Sequence, residues 1–149
     1  MHQLGPIIHA ALPHLSFQTR AIMDAMLLTG GSVGTARHVA FNVGISSRFA
    51  LARLLAKEGL PPLHRLSGWM TVLHWALESE RSGTALSALT LRAGKEPPAS
   101  YRLVKRITGA RWTEVRDAGA ERVLAGLLDE CSQSGSSAPR EATTSPDRS

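Results

Sequence analysis

The sequence predicts an all-α protein, and three observations carry that prediction. Apolar residues recur at intervals of three and four, and no segment alternates apolar and polar residues over the length of a strand. Gly and Pro interrupt these apolar segments repeatedly along the chain. Of the 149 residues, 43% are hydrophobic and 19% are charged, which is sufficient for one domain with a core.

The N-terminal extension, residues 1–31, is expected to hold two helices. A short helix over about 7–12 ends at Pro13, and Ser16 caps a second helix that ends at Gly30 and Gly31. The apolar face of this second helix is predicted to consist of Phe17, Ile22, Ala25 and Met26.

Residues 32–60 and 84–119 are each expected to begin with two short helices around a glycine. In the first segment, Ser32 caps a helix that stops at Gly44, and Ser46 or Ser47 starts a second helix that reaches about residue 57. In the second segment, the corresponding helices span about 84–93 and 97–107, on either side of Gly94.

The longest predicted helix, residues 62–81, links these two segments. Pro62 suits its first turn, and Ser82 and Gly83 end it. Its predicted apolar stripe is Leu63, Leu66, Met70, Leu73 and Leu77. Two closing helices are expected over about 112–117 and 120–128, before a disordered tail over 129–149. Apart from proline, residues 132–149 contain no apolar side chain larger than that of alanine.

The two segments also align with each other at an offset of 50 residues. The matching pairs are Ser32 with Ser82, Val39 with Leu89, Gly44 with Gly94, Leu51 with Tyr101, Leu54 with Val104, and Gly59 with Gly109. Each copy has the layout of a helix-turn-helix unit, whose second or reading helix enters the major groove of DNA.

Residue types in the repeat suit that layout. Gly44 and Gly94 supply the positive φ of a tight turn, and Ala40 and Thr90 are small enough to let the second helix pack closely. The inward sides of the reading helices are predicted to be Leu51, Leu54 and Leu55 in the first unit, and Tyr101, Val104 and Ile107 in the second.

Charge points to a polyanionic partner. Seventeen Lys and Arg against twelve Asp and Glu give a net charge of +5. Residues 32–122 hold fourteen basic and seven acidic residues, so the positive charge belongs to the repeat. The single Cys131 cannot form an intramolecular disulfide, and no uncharged apolar run reaches the length of a membrane span. A cytoplasmic protein without membrane contact is therefore expected.

A family pattern is visible in the second unit. The hexapeptide at 89–94 is followed by a basic helix that begins near Tyr101, by Thr108-Gly109, and by Glu114-Val115-Arg116. With residues 39–47 of the first unit, these segments resemble the DNA-binding domain of the AraC-type transcriptional regulators. The resemblance covers about residues 32–119.

The resemblance implies two helix-turn-helix units joined by a long helix, within a DNA-binding domain at 32–128. It further implies sequence-specific binding of double-stranded DNA and regulation of transcription, with RNA polymerase as a candidate second partner. The predicted linking helix is close in length to one turn of a duplex, so one monomer is expected to place both units on it. Neither catalysis nor a cofactor is expected.

Ten residues are expected to contact DNA. Arg48 and Arg53 can read guanine bidentately, and Phe49 can contact a thymine methyl group. Ser100 and Arg102 are expected to contact bases in the second unit. Lys105, Arg106 and Arg111 are expected to bind phosphates, and Arg37 the backbone near the first unit. The complete set is Arg37, Ser47, Arg48, Phe49, Arg53, Ser100, Arg102, Lys105, Arg106 and Arg111.

Three other functions remain open at this stage. The fold could serve as a protein-interaction module, since Pro97 and Pro98 open the second reading helix where polar contact residues are expected. Non-specific nucleic-acid binding and an enzyme with an unrecognised site are the others. No metal site is expected, because the six His residues contain no His-x-x-x-His pair. The three Trp residues, Trp69, Trp75 and Trp112, are expected to pack in the core.

Overall fold

The computed structural model describes the backbone of residues 4–144 and the side chains of residues 4–132. Within that part the chain forms helices and no strand, which confirms the all-α prediction. The helices are α1 (Leu4–Ala11), α2 (Phe17–Thr29), α3 (Ala36–Asn42), α4 (Arg48–Lys57), α5 (Leu63–Ser82), α6 (Leu86–Arg92), α7 (Pro97–Thr108), α8 (Trp112–Ala118) and α9 (Ala120–Thr144).

Most helix ends follow local sequence signals. Ser16 caps α2 by accepting a hydrogen bond from the N–H of Thr19 at 3.3 Å, and Ser47 caps α4 in the same way. The predicted cap at Ser32 is wrong. Thr35 caps α3 instead, because the chain first turns at Gly34, where φ is +86°.

Helix α5 lies at the centre of the fold and packs against α2, α6, α7, α8 and α9. Leu66, Met70 and Leu73 of the predicted stripe are buried, and the flanking Leu63 and Leu77 are half-buried. Trp69 and Trp75 are also buried, on other sides of the same helix, and Trp112 of α8 is buried too. The prediction that the tryptophans pack in the core is confirmed.

The N-terminal extension is part of this core. Met23 and Met26 of α2 are fully buried, and the Ser67 hydroxyl of α5 donates a hydrogen bond to the carbonyl of Gly31. The predicted apolar face of α2 needs correction, because Phe17 is 76% exposed and Ala25 is exposed as well. The residues of α2 that are buried are Thr19, Ile22, Met23 and Met26.

Helix α9 continues past its predicted end at residue 128. Leu127 and Cys131 are buried, and Glu130 forms an ion pair with Arg65 of α5. The hydrogen bonds that Arg65 donates to the Glu130 carboxylate raise the pKa of Arg65. The predicted start of a disordered tail at Asp129 is therefore wrong, and the backbone is helical to Thr144. The predicted disorder of residues 145–149 lies outside the described residues.

Burial of Cys131 gives a chemical test of how α9 packs. Burial raises the pKa of its thiol from 9.0 to about 11, and the nearby Glu130 carboxylate adds to the rise. At pH 8 the native thiol should hold about 100-fold less thiolate than an exposed one, so disulfide exchange with a small aromatic disulfide should be at least that much slower than in the unfolded chain. Rapid labelling of the native protein would show that α9 does not pack there.

The same pKa shift determines how the free energy of unfolding depends on pH. The pKa of Cys131 is higher in the folded state, so its contribution to stability is complete below about pH 9 and is lost as pH rises toward 11. The free energy of unfolding of a Cys131→Ser variant should lack this component, which denaturant titrations between pH 8 and pH 11 can measure.

Candidate nucleic-acid interface

The helices α3–α4 and α6–α7 form two pairs with the same turn between them. Gly44 and Gly94 take φ values of 75° and 73°, which confirms the positive φ predicted for both. In each turn, the N–H after the glycine bonds to the carbonyl of a small buried residue: Ile45 to Ala40 at 2.8 Å, and Lys95 to Thr90 at 3.0 Å. The offset of 50 residues thus holds through the turn.

The offset changes to 49 residues within the second helices. Three residues separate Gly44 from α4, whereas two separate Gly94 from α7, so α4 begins at Arg48 and α7 at Pro97. The buried positions follow this offset, since Leu51 corresponds to Ser100 and Leu55 to Val104.

Two of the predicted correspondences are therefore wrong. Tyr101 does not pair with Leu51 and does not anchor α7, because its side chain is 44% exposed. Val104 corresponds to Leu55 and not to Leu54. The inward side of α7 is formed by Ser100, Val104 and Ile107, all of them buried.

The outward side of α4 carries the residues predicted to read bases. Leu51 and Leu55 face the core, and at 100° per residue Phe49 and Arg53 lie on the opposite side. Phe49 is 63% exposed, and the guanidinium carbon of Arg48 lies 4.9 Å from the centre of its ring. This cation–π contact holds the two side chains next to each other.

The outward side of α7 is basic. Arg102, Lys105 and Arg106 are exposed, and their spacing of three and four residues places them on one face. Ser100 is only 2% exposed and lies on the inward side. The prediction that Ser100 contacts a base is therefore wrong, because a side chain facing the core cannot reach the duplex.

With the corrected offset, the two outward sides match. Arg53 corresponds to Arg102, and Lys57 corresponds to Arg106. We call these four residues the basic face. Lys57 was not among the predicted contact residues, because the offset of 50 pairs it with Ile107, a core residue.

The first turns of α4 and α7 differ in their hydrogen-bond donors. Ser47 is half-buried and caps α4, and the N–H groups of Arg48 and Phe49 precede the first N–H that the cap satisfies. Helix α7 begins with Pro97 and Pro98, which have no N–H. The N-terminus of α4 can therefore donate to an anion through backbone groups that α7 lacks.

Positive charge dominates both pairs. Residues 36–57 contain four Lys and Arg and no acidic residue, and residues 86–108 contain five against the single Glu96. Among the side chains described, 4–132, none of these nine cations forms an ion pair within the protein. Their charge is thus directed at solvent or at a partner.

The remaining predicted contact residues lie beside the two outward sides. Arg37 is exposed on α3 and lines a shallow cleft with Arg48, Thr35 and Ala36. Arg111 is exposed at the start of α8, where its N–H bonds to the Glu114 carboxylate at 3.1 Å. Arg37 is therefore part of the first helix pair, whereas Arg111 follows the end of α7 and lies outside the second pair.

Other kinds of site have little support in the described part of the chain. No three His, Cys, Asp or Glu side chains there are grouped as metal ligands would be. None of its helices combines the length and the apolar composition that crossing a bilayer requires. The chain matches no protein-family model, no curated protein and no solved structure.

The offset of 49 can be tested by overpacking. Ser100→Leu should lower the free energy of unfolding by about 1–3 kcal/mol, because extra side-chain volume would be forced into the packed inward side of α7. The exposed neighbour Ala99 is the matched control, and Ala99→Leu should change stability by less than about 0.5 kcal/mol. Equal losses in the two variants would contradict the assigned inward side.

Proposed function

We propose that the chain is a sequence-specific double-stranded DNA-binding protein of the AraC type that regulates transcription in the cytoplasm. In this proposal α3–α4 and α6–α7 are helix-turn-helix units, α4 and α7 are the reading helices, and α5 joins the units. The protein acts as a monomer, without catalysis, cofactor or membrane contact.

One observation carries the proposal: the two halves of the basic face, on α4 and α7, match each other. Two helices in matching positions each bury one side and expose Arg and then Lys or Arg four residues later, at Arg53 and Lys57 and at Arg102 and Arg106. The major groove of B-DNA is wide enough to admit an α-helix, and Arg at its base edges reads guanine. Matching basic surfaces on two helices suit two successive contacts with one duplex.

Roles then divide along each reading helix. Arg53, at the centre of the outward side of α4, contacts bases together with Phe49 and the stacked Arg48. Arg102 is the corresponding base contact of α7. Lys105 and Arg106, nearer the end of α7, bind phosphates and position that helix without specifying sequence.

A second role in protein binding is favoured by one observation. Phe41 and Leu91 occupy corresponding positions before the two turns and are 81% and 65% exposed. Large exposed apolar side chains at repeated positions suit contact with another protein. RNA polymerase is the candidate for a transcriptional regulator, and Phe41→Ser should then reduce transcription without reducing DNA affinity.

The experiment that tests the proposal is a selection from random duplexes at physiological salt, followed by binding of single variants. Arg53→Ala and Arg48→Ala should each relax preference at one base pair by about 1–3 kcal/mol. Lys105→Ala and Arg106→Ala should weaken binding to all duplexes alike and lower the salt slope by about one each.

Arg122→Ala is the matched control, because Arg122 is exposed on α9 and lies outside both pairs. It should leave the base preference unchanged. A uniform loss of affinity in all four reading-helix variants would contradict base reading by α4. Selection without any enriched sequence would leave non-specific binding as the function.

A further inference from the structure

We infer that Arg65 is a positioning residue that fixes the distance and angle between the two reading helices. The inference rests on the proposed function. It concerns a residue at the start of α5 that lies outside both helix pairs.

Arg65 joins α5 to α7 and α9 at once. Its Nε lies 2.6 Å and its Nη2 lies 2.8 Å from the two carboxylate oxygens of Glu130, a bidentate arrangement. Nη2 also donates to the carbonyl of Ile107 at 3.2 Å, and Nη1 to that of Arg106 at 3.5 Å. These carbonyls belong to the last turn of α7, where helical partners are missing.

Apolar packing and the polar contacts of Arg65 act at neighbouring points of α5. A Cβ at Gly68 would lie 2.6 Å from Cδ1 of Ile107, so α7 approaches the backbone of α5 closely there, and α7 packs along α5 around this point. Apolar packing is non-directional, whereas a planar guanidinium bonds in fixed directions. Arg65, about one turn earlier on α5, therefore adds an angular restraint by binding the end of α7.

The same part of α9 also reaches the first pair. Cys131 follows Glu130 and lines a cavity with Lys57, Glu58 and Gly59 at the end of α4. Helix α9 packs against both α4 and α5. The C-terminal end of α4 therefore lies near Cys131, while the end of α7 is bound by Arg65, the partner of the adjacent Glu130.

This arrangement changes what sets the spacing of the DNA contacts. If α4 and α7 lay at opposite ends of α5, the length of α5 would set their separation. Instead, the end of α7 lies beside the first turn of α5, so the separation depends on how α7 is oriented there. Val104 and Ile107 pack α7 into the core, and Arg65 and Glu130 restrain its last turn.

The test uses the full chain and the duplex sequence enriched by the selection, in which each reading helix binds one subsite. In a series of such duplexes, the number of base pairs between the two subsites is changed. Adding two base pairs rotates one subsite by about 70°, and adding five moves it to the opposite side of the duplex. The unaltered protein should lose about 100-fold or more in affinity with five added base pairs, since both units can no longer bind together.

Two variants weaken, in different ways, the restraint that Arg65 and Glu130 place on the last turn of α7. Glu130→Gln removes the ion pair while keeping Arg65, and Arg65→Lys keeps the positive charge but not the planar fork. In both, affinity for the original spacer should fall about tenfold, and affinities across the spacer series should differ by less than about fivefold. Binding to a duplex with one subsite should not change.

Glu78→Gln is the control, because it breaks an Arg–Glu ion pair that lies within α5, near its other end, and joins no second helix. It should keep the spacer dependence of the unaltered protein. Thermal unfolding of each variant shows that it is folded, and a loss of stability alone would lower binding to single-subsite duplexes as well.

The outcomes separate the inference from the function on which it rests. If Glu130→Gln and Arg65→Lys keep the full spacer dependence, the inference is overturned and the proposed function stands. If the unaltered protein binds no duplex specifically, or binds all spacers equally, reading by two units fails and the inference fails with it.

Discussion

Burial of α5 on most of its sides is the constraint on which the rest of the structure depends. The second helix pair packs on α5 directly, with Ile107 against Gly68. The first pair is held by α9 and by the N-terminal extension, through the hydrogen bonds of Ser16 to Glu58 and of Gln18 to Val43. Each Leu buried around α5 contributes about 1.5–3 kcal/mol. Because α2 and α9 themselves pack on α5, the two pairs are parts of a single core.

The two pairs have kept their turns and diverged in their second helices. A tight turn at positive φ has few solutions, so Gly44 and Gly94 and the hydrogen bonds around them coincide. The second helices differ because one connection is a residue shorter and because Pro97 and Pro98 remove donors from the start of α7. In the proposed function this makes the readers unequal. The first turn of α4 carries the stacked Arg48–Phe49 pair and can donate hydrogen bonds through the N–H groups of these two residues. The first turn of α7 lacks such donors, so α7 can contact DNA only through side chains.

Local chemistry explains which features could be predicted from sequence. The cap at Ser16, the start of α4 at Ser46 or Ser47 and the glycine turns follow from nearby residues and were predicted correctly. The stripe of α5 was predicted only in part, because Leu63 and Leu77 are half-buried and other sides of the helix are buried as well. The change of offset was missed, because Leu54 and Val104 match in sequence although their helices are displaced by one residue.

Contacts between residues far apart in the sequence could not be predicted. The pair Arg65–Glu130 spans 65 positions, and no local pattern marks it. Packing of α9 beyond residue 128 was missed because, apart from proline, Cys131 is the one apolar residue larger than alanine after that position, and no nearby residue indicates that it is buried.

In the proposed function, one rigid chain places two basic helices on the same side of a duplex. A hydroxyl-radical footprint of the protein on a duplex enriched by selection is the sharpest test of this placement. We expect two protected segments on one face of the DNA, about one helical turn or 10 base pairs apart, with a single bound monomer. A single protected segment, or two segments that appear only when a second copy of the chain binds, would contradict it.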